Sequence, residues 1–312
     1  MPADPIHGVR RILVFRGGAL GDFILTLPAI AALRRRFPAA RLEILGYPAF
    51  ASLAEAAGLA DAIHPIEAPA LAPMFIEGAP QLPPPLFHCD LAVSYLYDPA
   101  LVFERNFLRH APGAQFIRGP HRPDERANIH AADALLAPLR ELQIFDADPQ
   151  PRLNLGDAKP ADAGAWLALH PGSGSEAKNW PETHWRDLLG LILANTSWNC
   201  LLIGGEAEGE RLRRLAPATS PRVRLAQNLP LVELARQMAR CAGFIGHDSG
   251  VTHLAAALGL PGVVLWGPSN IHVWRPRSDK MKIVRDDAGL SALAVHRVFG
   301  EIRAARFGGG GG

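Results

Sequence analysis

Cysteine is nearly missing from this chain: only Cys89, Cys200 and Cys241 occur in 312 residues. They are odd in number, isolated and without C-x-x-C spacing, which excludes a disulfide framework and a structural zinc site and fits a reducing cytoplasm. Each borders an apolar run and reads as a small core residue. Long apolar runs are lacking too, so no membrane span is expected. The start, MPADPIHGVRR, has no apolar stretch behind its basic residues and does not read as a signal peptide. Charge of one sign is not in excess: the net charge of +2 gives no argument for nucleic acid. The triplet Arg34, Arg35, Arg36 and the cluster Arg211, Arg213, Arg214 each read as a solvated helix face. No D-x-D sits in a convincing loop and the histidines are scattered, so no metal and no cofactor are expected. G-K-[ST] is absent, which excludes a P-loop, and G-x-S-x-G is absent, which argues against a serine hydrolase.

What is present is a repeating strand, loop and helix rhythm. Hydrophobic residues make up 48% of the chain, enough for a packed interior. ILVF (12–15) reads as a strand, RGGALGD (16–22) as a glycine loop, and FILTLPAIAALRRRF (23–37) as a helix. Pro28 predicts a short first turn over 22–26 and a restart with the proline at its opening position. RLEILG (41–46) is a strand and ASLAEAAGLA a helix ending near Gly58. Residues 61–88 are Pro-rich and give no clear element; CDLAVSYL (89–96) is a buried strand. The stretch 112–124 reads as a basic loop, and 128–142 as a helix interrupted near Pro138.

After a linker-like stretch, 146–164, the rhythm restarts. Strands are predicted at 166–170, 198–204, 223–227, 243–247 and 262–267, with helices at 181–195, 206–216, 231–241 and 251–259. This predicts two doubly wound parallel-sheet α/β domains, over 1–155 and 156–290, with ligands at the carboxyl ends of the strands and both domains facing a central cleft. A last helix, 291–307, carries Arg297, Arg303 and Arg306 and is expected to cross back to the first domain. The glycine tail, 308–312, reads as disordered.

Three constellations stand out. Asp22 opens a helix, where the macrodipole favours a carboxylate, and Gly17, Gly18 and Gly21 before it allow another molecule close to the backbone. The pattern is not G-x-G-x-x-G, and Gly46-Tyr47-Pro48 stands where a ribose-binding acid would follow the second strand, so a nicotinamide site fits poorly. HPGSGSEAKNWP (170–181) joins a strand to a helix; Ser173, Gly174 and Ser175 offer amides and hydroxyls and Lys178 a cation, the set a diphosphate needs. GHDSGVTHLAAALGLP (246–261) places Asp248 at a strand end, Ser249 as N-cap, Gly250 for close approach and His253 in the first helical turn. Glu206 and Glu208 follow a strand end at Gly204–Gly205, where one of them could grip a ribose.

Together these segments resemble glycosyltransferase family 9, the heptosyltransferase family, in order and spacing: ILVFRGGALGDFILTLPAIAALRRRFP, HPGSGSEAKNWPETHW and GFIGHDSGVTHLAAALGLPGVVLWGP. The resemblance implies a GT-B fold and metal-independent, inverting sugar transfer, here from ADP-heptose to a lipopolysaccharide-core or related glycan. It implies Asp22 as catalytic base and Ser173, Gly174, Lys178, Asp248, Ser249, Gly250 and His253 at the donor, with Glu206 or Glu208 on the ribose. His247 departs from the asparagine many members carry there. Arg118, His121 and Arg122 are candidates for the acceptor side. The implied partners are a nucleotide-sugar donor and a glycan or lipid-linked glycan acceptor, with no nucleic acid; the implied place is the cytoplasm, with peripheral contact at the inner membrane left open. An NDP-sugar epimerase on the same scaffold and a non-catalytic nucleotide-sugar-binding protein are the alternatives.

Overall fold

A computed structural model of the chain describes residues 8–78, 87–156, 165–206, 208–216, 220–305 and 307. The glycine tail, Arg306 and the centres of the Pro-rich and linker stretches lie outside the described residues. The chain divides into two compact units at Pro151 and Arg152, four residues before the predicted boundary.

The first unit contains β1 (Arg11–Arg16), α1 (Leu20–Arg36), β2 (Arg41–Gly46), α2 (Pro48–Ala56), β3 (Ala62–Pro65), β4 (Leu91–Ser94), α3 (Val102–His110), β5 (Gln115–Arg118) and α4 (Ala131–Leu136), which runs on as a 3-10 turn over Ala137–Leu142. Its sheet is ordered β3-β2-β1-β4-β5, with every pair parallel. Strand order reverses between β1 and β4, so the loop after β1 stands at the point where such sheets bind ligands.

Two expectations fail here. Helix α1 runs unbroken through Pro28, with no restart. Residues 23–30 are all buried, and that packing outweighs the roughly 3 kcal/mol a mid-helix proline costs. The stretch read as a loop contains β5, a four-residue edge strand too short to leave a pattern.

The second unit contains β6 (Trp166–His170), α5 (Glu182–Asn195), β7 (Asn199–Gly204), α6 (Gly209–Leu215), β8 (Val223–Gln227), α7 (Leu231–Met238), β9 (Gly243–His247), α8 (Gly250–Ala257), β10 (Gly262–Leu265), α9 (Ile271–Trp274), β11 (Met281–Val284) and α10 (Val295–Ala304). The six strands lie in the order β11-β10-β9-β6-β7-β8, all parallel. The switch point falls between β6 and β9, so the two loops singled out in the sequence leave the sheet side by side.

Helix α10, expected to cross to the first domain, packs within the second unit. Val298 and Ile302 sit in the core of the second unit with Leu188, Ile192 and Trp198, and α10 packs on α5 and β10. Its apolar stripe of Val295, Val298, Phe299 and Ile302 is satisfied by the nearest sheet face. The three cysteines are free; burial pushes each thiol up to about 12, as suits inert core residues. Among the described residues no helix is long and apolar enough to cross a membrane.

Candidate functional site

In the first unit the site is built around Asp22. Gly18 turns the chain with φ +89°, a conformation only glycine adopts without strain. This brings Asp22 Oδ2 to 2.9 Å from the amide of Ala19, whose N–H it accepts, so the carboxylate closes the first turn of α1. Its side chain keeps about a quarter of its surface open.

Beneath it lies Arg16, which sequence reasoning placed in the loop. It is the last residue of β1 and almost fully buried. Its Nη2 donates to the Asp22 carbonyl at 3.0 Å and stands 3.7 Å from Asp22 Oδ1. Its Nη1 donates to the His121 carbonyl at 3.0 Å and lies 3.4 Å from that of Tyr95. Burial lowers the Arg16 pKa, and Asp22 and Tyr95 pull it back up; a guanidinium stays charged regardless. The signal available was its place at the end of a buried parallel strand.

The acceptor candidates fall at the same end of this sheet. Arg118 ends β5 and pairs with Glu104 at 2.8 Å. His121 is exposed, with its ring 4.6 Å from that of Tyr97, and Arg122 is exposed close by in the chain. Of the basic triplet, Arg34 is committed to the protein, while Arg35 and Arg36 are exposed, as a solvated face requires. Arg34 donates to the Ala40 carbonyl at 2.8 Å and pairs with Asp61 at 2.5 Å, and Arg35 lies 3.5 Å from Asp146.

In the second unit, Lys178 and Asp248 meet at 2.7 Å, joining the loops that follow β6 and β9. Asp248 is nearly buried, whereas a third of the lysine side chain is open. Ser249 is the N-cap of α8; its Oγ accepts from the Thr252 amide at 3.4 Å and lies 3.3 Å from His170 Nδ1. Ser173 Oγ sits 2.7 Å from the Ser175 carbonyl and 2.8 Å from Asn179 Oδ1, which stiffens the loop, while Gly174 and Ser175 are exposed. Gly250 opens α8, and His253 is buried within its first turn. Of the two glutamates, Glu208 faces this loop: it accepts from the Gly205 amide at 2.9 Å and leaves no room for a side chain at Gly172. Glu206 is exposed.

Between the loop and α5, which starts at Glu182 close to the predicted 181, stands one 3-10 turn, Glu176–Lys178. Three residues align too few peptide dipoles to act as a helix end, so α8 supplies the macrodipole here. Of the basic cluster, Arg213 and Arg214 are exposed but Arg211 is largely covered. Arg211 donates to Glu176 at 2.9 Å and to the Pro171 carbonyl at 3.3 Å, and Arg214 makes a two-pronged pair with Glu182 at 2.8 and 2.7 Å. Arg211 therefore holds the loop onto α6, and Arg214 holds the start of α5 there.

His247 clamps the loop from below. Its Nε2 accepts from the Trp180 amide at 2.8 Å and lies 3.3 Å from Trp185 Nε1, so Nδ1 must carry the proton, 3.1 Å from the Gly172 carbonyl. Burial depresses its pKa to about 4 and that of His170 to about 3, so both rings are neutral. A cavity of ≈ 510 Å³ opens beside the loop, lined by Ala177, Trp266, Arg285 and Asp286 among others. Among the described residues no group of three or more His, Cys, Asp or Glu could hold a metal ion.

The two sheets define a pair of Rossmann-like units, and solved structures share that fold. The glycosyl transferase family 9 protein of Veillonella parvula superposes with a TM-score of 0.74 at 19% identity, over 95% of this chain and 97% of that one. The Escherichia coli heptosyltransferase WaaC, solved with ADP, gives 0.73 at 20% identity over 95% and 99%. At such identities the likeness shows the fold alone, that of the GT-B glycosyltransferases. The family model for glycosyltransferase family 9 (heptosyltransferase) matches residues 120–296, more than half of the chain.

The chain belongs to that family, as its three motifs indicated. Lipopolysaccharide heptosyltransferase 1 of E. coli K12 is 33% identical over 111 residues, 36% of this chain and 34% of that protein. The protein of the same name from Pseudomonas aeruginosa is 32% identical over 181 residues, 55% of this chain and 49% of that one. The chain thus spans about a third to a half of the length of these relatives. The family match contains Ser173–Lys178, Glu208 and Asp248–His253, whereas Asp22 precedes it.

Proposed function

We propose that the protein is an inverting, metal-independent glycosyltransferase that moves a heptose from ADP-heptose to a lipopolysaccharide-core or related glycan acceptor, with Asp22 as general base. The observation that carries this is the Lys178–Asp248 pair at the switch point of the second sheet. It brings two sequence-distant loops together as one cation-bearing, amide-rich cradle, the chemistry a departing nucleotide diphosphate requires.

In this reading Asp22 accepts the proton of the acceptor hydroxyl as its oxygen bonds to the anomeric carbon. The bond from that carbon to the β-phosphate oxygen breaks, and ADP leaves with its electron pair. A single displacement inverts the anomeric centre. Lys178 and the N-terminus of α8 take up the charge that gathers on the diphosphate. Ser173, Gly174, Ser175, Gly250 and His253 complete the donor side, and Glu208 accepts from a ribose hydroxyl, a choice over the exposed Glu206 that its contact with Gly172 supports. No cofactor enters. Arg118, His121 and Arg122 stand on the acceptor side. The work belongs in the cytoplasm, with peripheral contact at the inner membrane where the acceptor is lipid-linked.

Calorimetric titration with ADP, UDP, GDP and NAD tests this, with Lys178→Ala as the control. Selective ADP binding that weakens at least tenfold in the variant, followed by transfer from ADP-heptose, is the expected result. Preference for UDP or GDP would move the donor away from heptose. Turnover of the donor without any acceptor would favour an epimerase, and binding of NAD alone would overturn the reading.

A further inference from the structure

A pocket of ≈ 290 Å³ lies at the carboxyl ends of β4 and β5, lined by Ser94, Leu96, Tyr97, Arg118 and His121 among others. Tyr97 is 69% exposed, so the face of its ring is open to a ligand. It is not a loose side chain on a loose loop. Its ring lies 4.6 Å from His121 with 59° between the planes. The next residue, Asp98, spends both carboxylate oxygens on the amides of Val102 and Glu104, at 2.8 and 3.0 Å. Leu101, also in the wall, is held in the left-handed region at φ 56°, a strain that packed surroundings must sustain. The loop that carries Tyr97 is therefore preformed.

Two contacts tie this pocket to the Asp22 loop. Leu96 lies against Gly17, 3.7 Å from where a Cβ there would stand. The His121 carbonyl is held by Arg16, the guanidinium that also holds the Asp22 carbonyl. The pocket's charges are already spent: Arg118 is paired with Glu104, and Asp98 caps α3. What remains is an aromatic face rimmed by polar groups. The C–H face of a pyranose, with its partial positive hydrogens, suits the negative face of a phenol ring, and its hydroxyls suit the rim.

We propose that Tyr97, flanked by His121, is a stacking platform for a neutral pyranose ring of the acceptor glycan, on the same end of the sheet as Asp22. This rests on the glycosyltransferase reading. Because Tyr97 is exposed, Tyr97→Ala leaves the fold intact.

Two measurements test it. Saturation-transfer NMR uses the methyl pyranosides of glucose, galactose and mannose with wild type, Tyr97→Ala and Tyr97→Phe. Ring protons of at least one glycoside should saturate with wild type and Tyr97→Phe but not with Tyr97→Ala. The second is transfer from ADP-heptose to deacylated inner-core oligosaccharide that ends in an unphosphorylated, neutral heptose. Tyr97→Ala should raise the acceptor KM about 5- to 10-fold, with kcat and the ADP-heptose KM within about twofold and Tyr97→Phe near wild type. No saturation with wild type, equal saturation in Tyr97→Ala, or an unchanged acceptor KM overturns the platform. Absence of transfer with a positive, Tyr97-dependent NMR signal instead removes the heptose-transfer reading and leaves the platform standing.

Discussion

Arg16 and Asp22 are joined twice: one guanidinium nitrogen donates to the Asp22 carbonyl at 3.0 Å and lies 3.7 Å from its carboxylate. The same side chain also reaches the His121 carbonyl at 3.0 Å. A single buried cation thus fixes the start of α1, the proposed base and the loop after β5.

Replacing Arg16 should cost both stability and turnover. Arg16→Met leaves the buried carbonyls of Asp22 and His121 without their donors, a loss of about 2–4 kcal/mol. Arg16→Lys keeps the charge but not the planar fork, and should recover only part of this. All six tryptophans, residues 166, 180, 185, 198, 266 and 274, lie in the second unit. Urea unfolding followed by far-UV circular dichroism should show an early transition in the variants, while the tryptophan-reported transition stays put. A single unchanged transition in both signals would sink the assignment.

What the sequence could show depended on period and on chain neighbours. The parallel strands β1, β2, β6, β7 and β9 were legible because buried strands read as short apolar runs, and the two loops at the β6/β9 switch point because glycine, serine and lysine cluster there. Pro28 misled because local propensity was weighed without the tertiary burial of residues 23–30. The four-residue edge strands β5 and β11 carry too little pattern to be seen. Arg16, Arg211 and His247 were missed or misread for a common reason. Their roles are made by partners far away in the chain, such as His121 for Arg16 and Gly172 for His247.

One substitution separates the cap that Asp22 supplies from the role of base proposed for it. Asp22→Asn retains an oxygen for the Ala19 amide, so unfolding of the first unit should shift by no more than about 1 kcal/mol, the usual worth of a helix-dipole charge. It abolishes the base, and turnover should fall 100-fold or more, with ADP affinity unchanged. Asp22→Ala should lose both the cap and the activity. Equal turnover of Asp22→Asn and wild type, in a transfer assay, would remove Asp22 from the mechanism.

A pair of glycines separates backbone strain from contact with the carboxylate. Gly18 and Gly58 both have positive φ, +89° and +69°. An added Cβ at Gly58 meets nothing within 4 Å, whereas at Gly18 it would lie 2.7 Å from Asp22 Oδ2. Alanine at either position should destabilise the first unit by roughly 1–2 kcal/mol through strain. Only Gly18→Ala should also displace the carboxylate and lower turnover at least tenfold, as steady-state kinetics on the two variants would read. Equal turnover in both would mean that the Gly18 approach does not position Asp22.

The second unit should weaken in mild acid for a reason that its histidines supply. His170 and His247 have an ordinary pKa of 6.5, lowered by burial to about 3 and about 4. Above pH 6.5 both are neutral whether folded or unfolded, and their contribution is complete. As pH falls below 6.5 the unfolded chain binds protons that the folded unit refuses, so stability declines until the folded pKa values are passed. Protonating His247 would also set an N–H on Nε2 against the donor N–H of Trp180. Between pH 7 and 5, above most carboxylate titration, the decline should reach on the order of 2 kcal/mol per histidine. The tryptophan-reported urea midpoint should fall steadily over that range, and His247→Asn should roughly halve the slope. A midpoint that stays level from pH 7 to 5 would show that these rings do not clamp the loop in their neutral form.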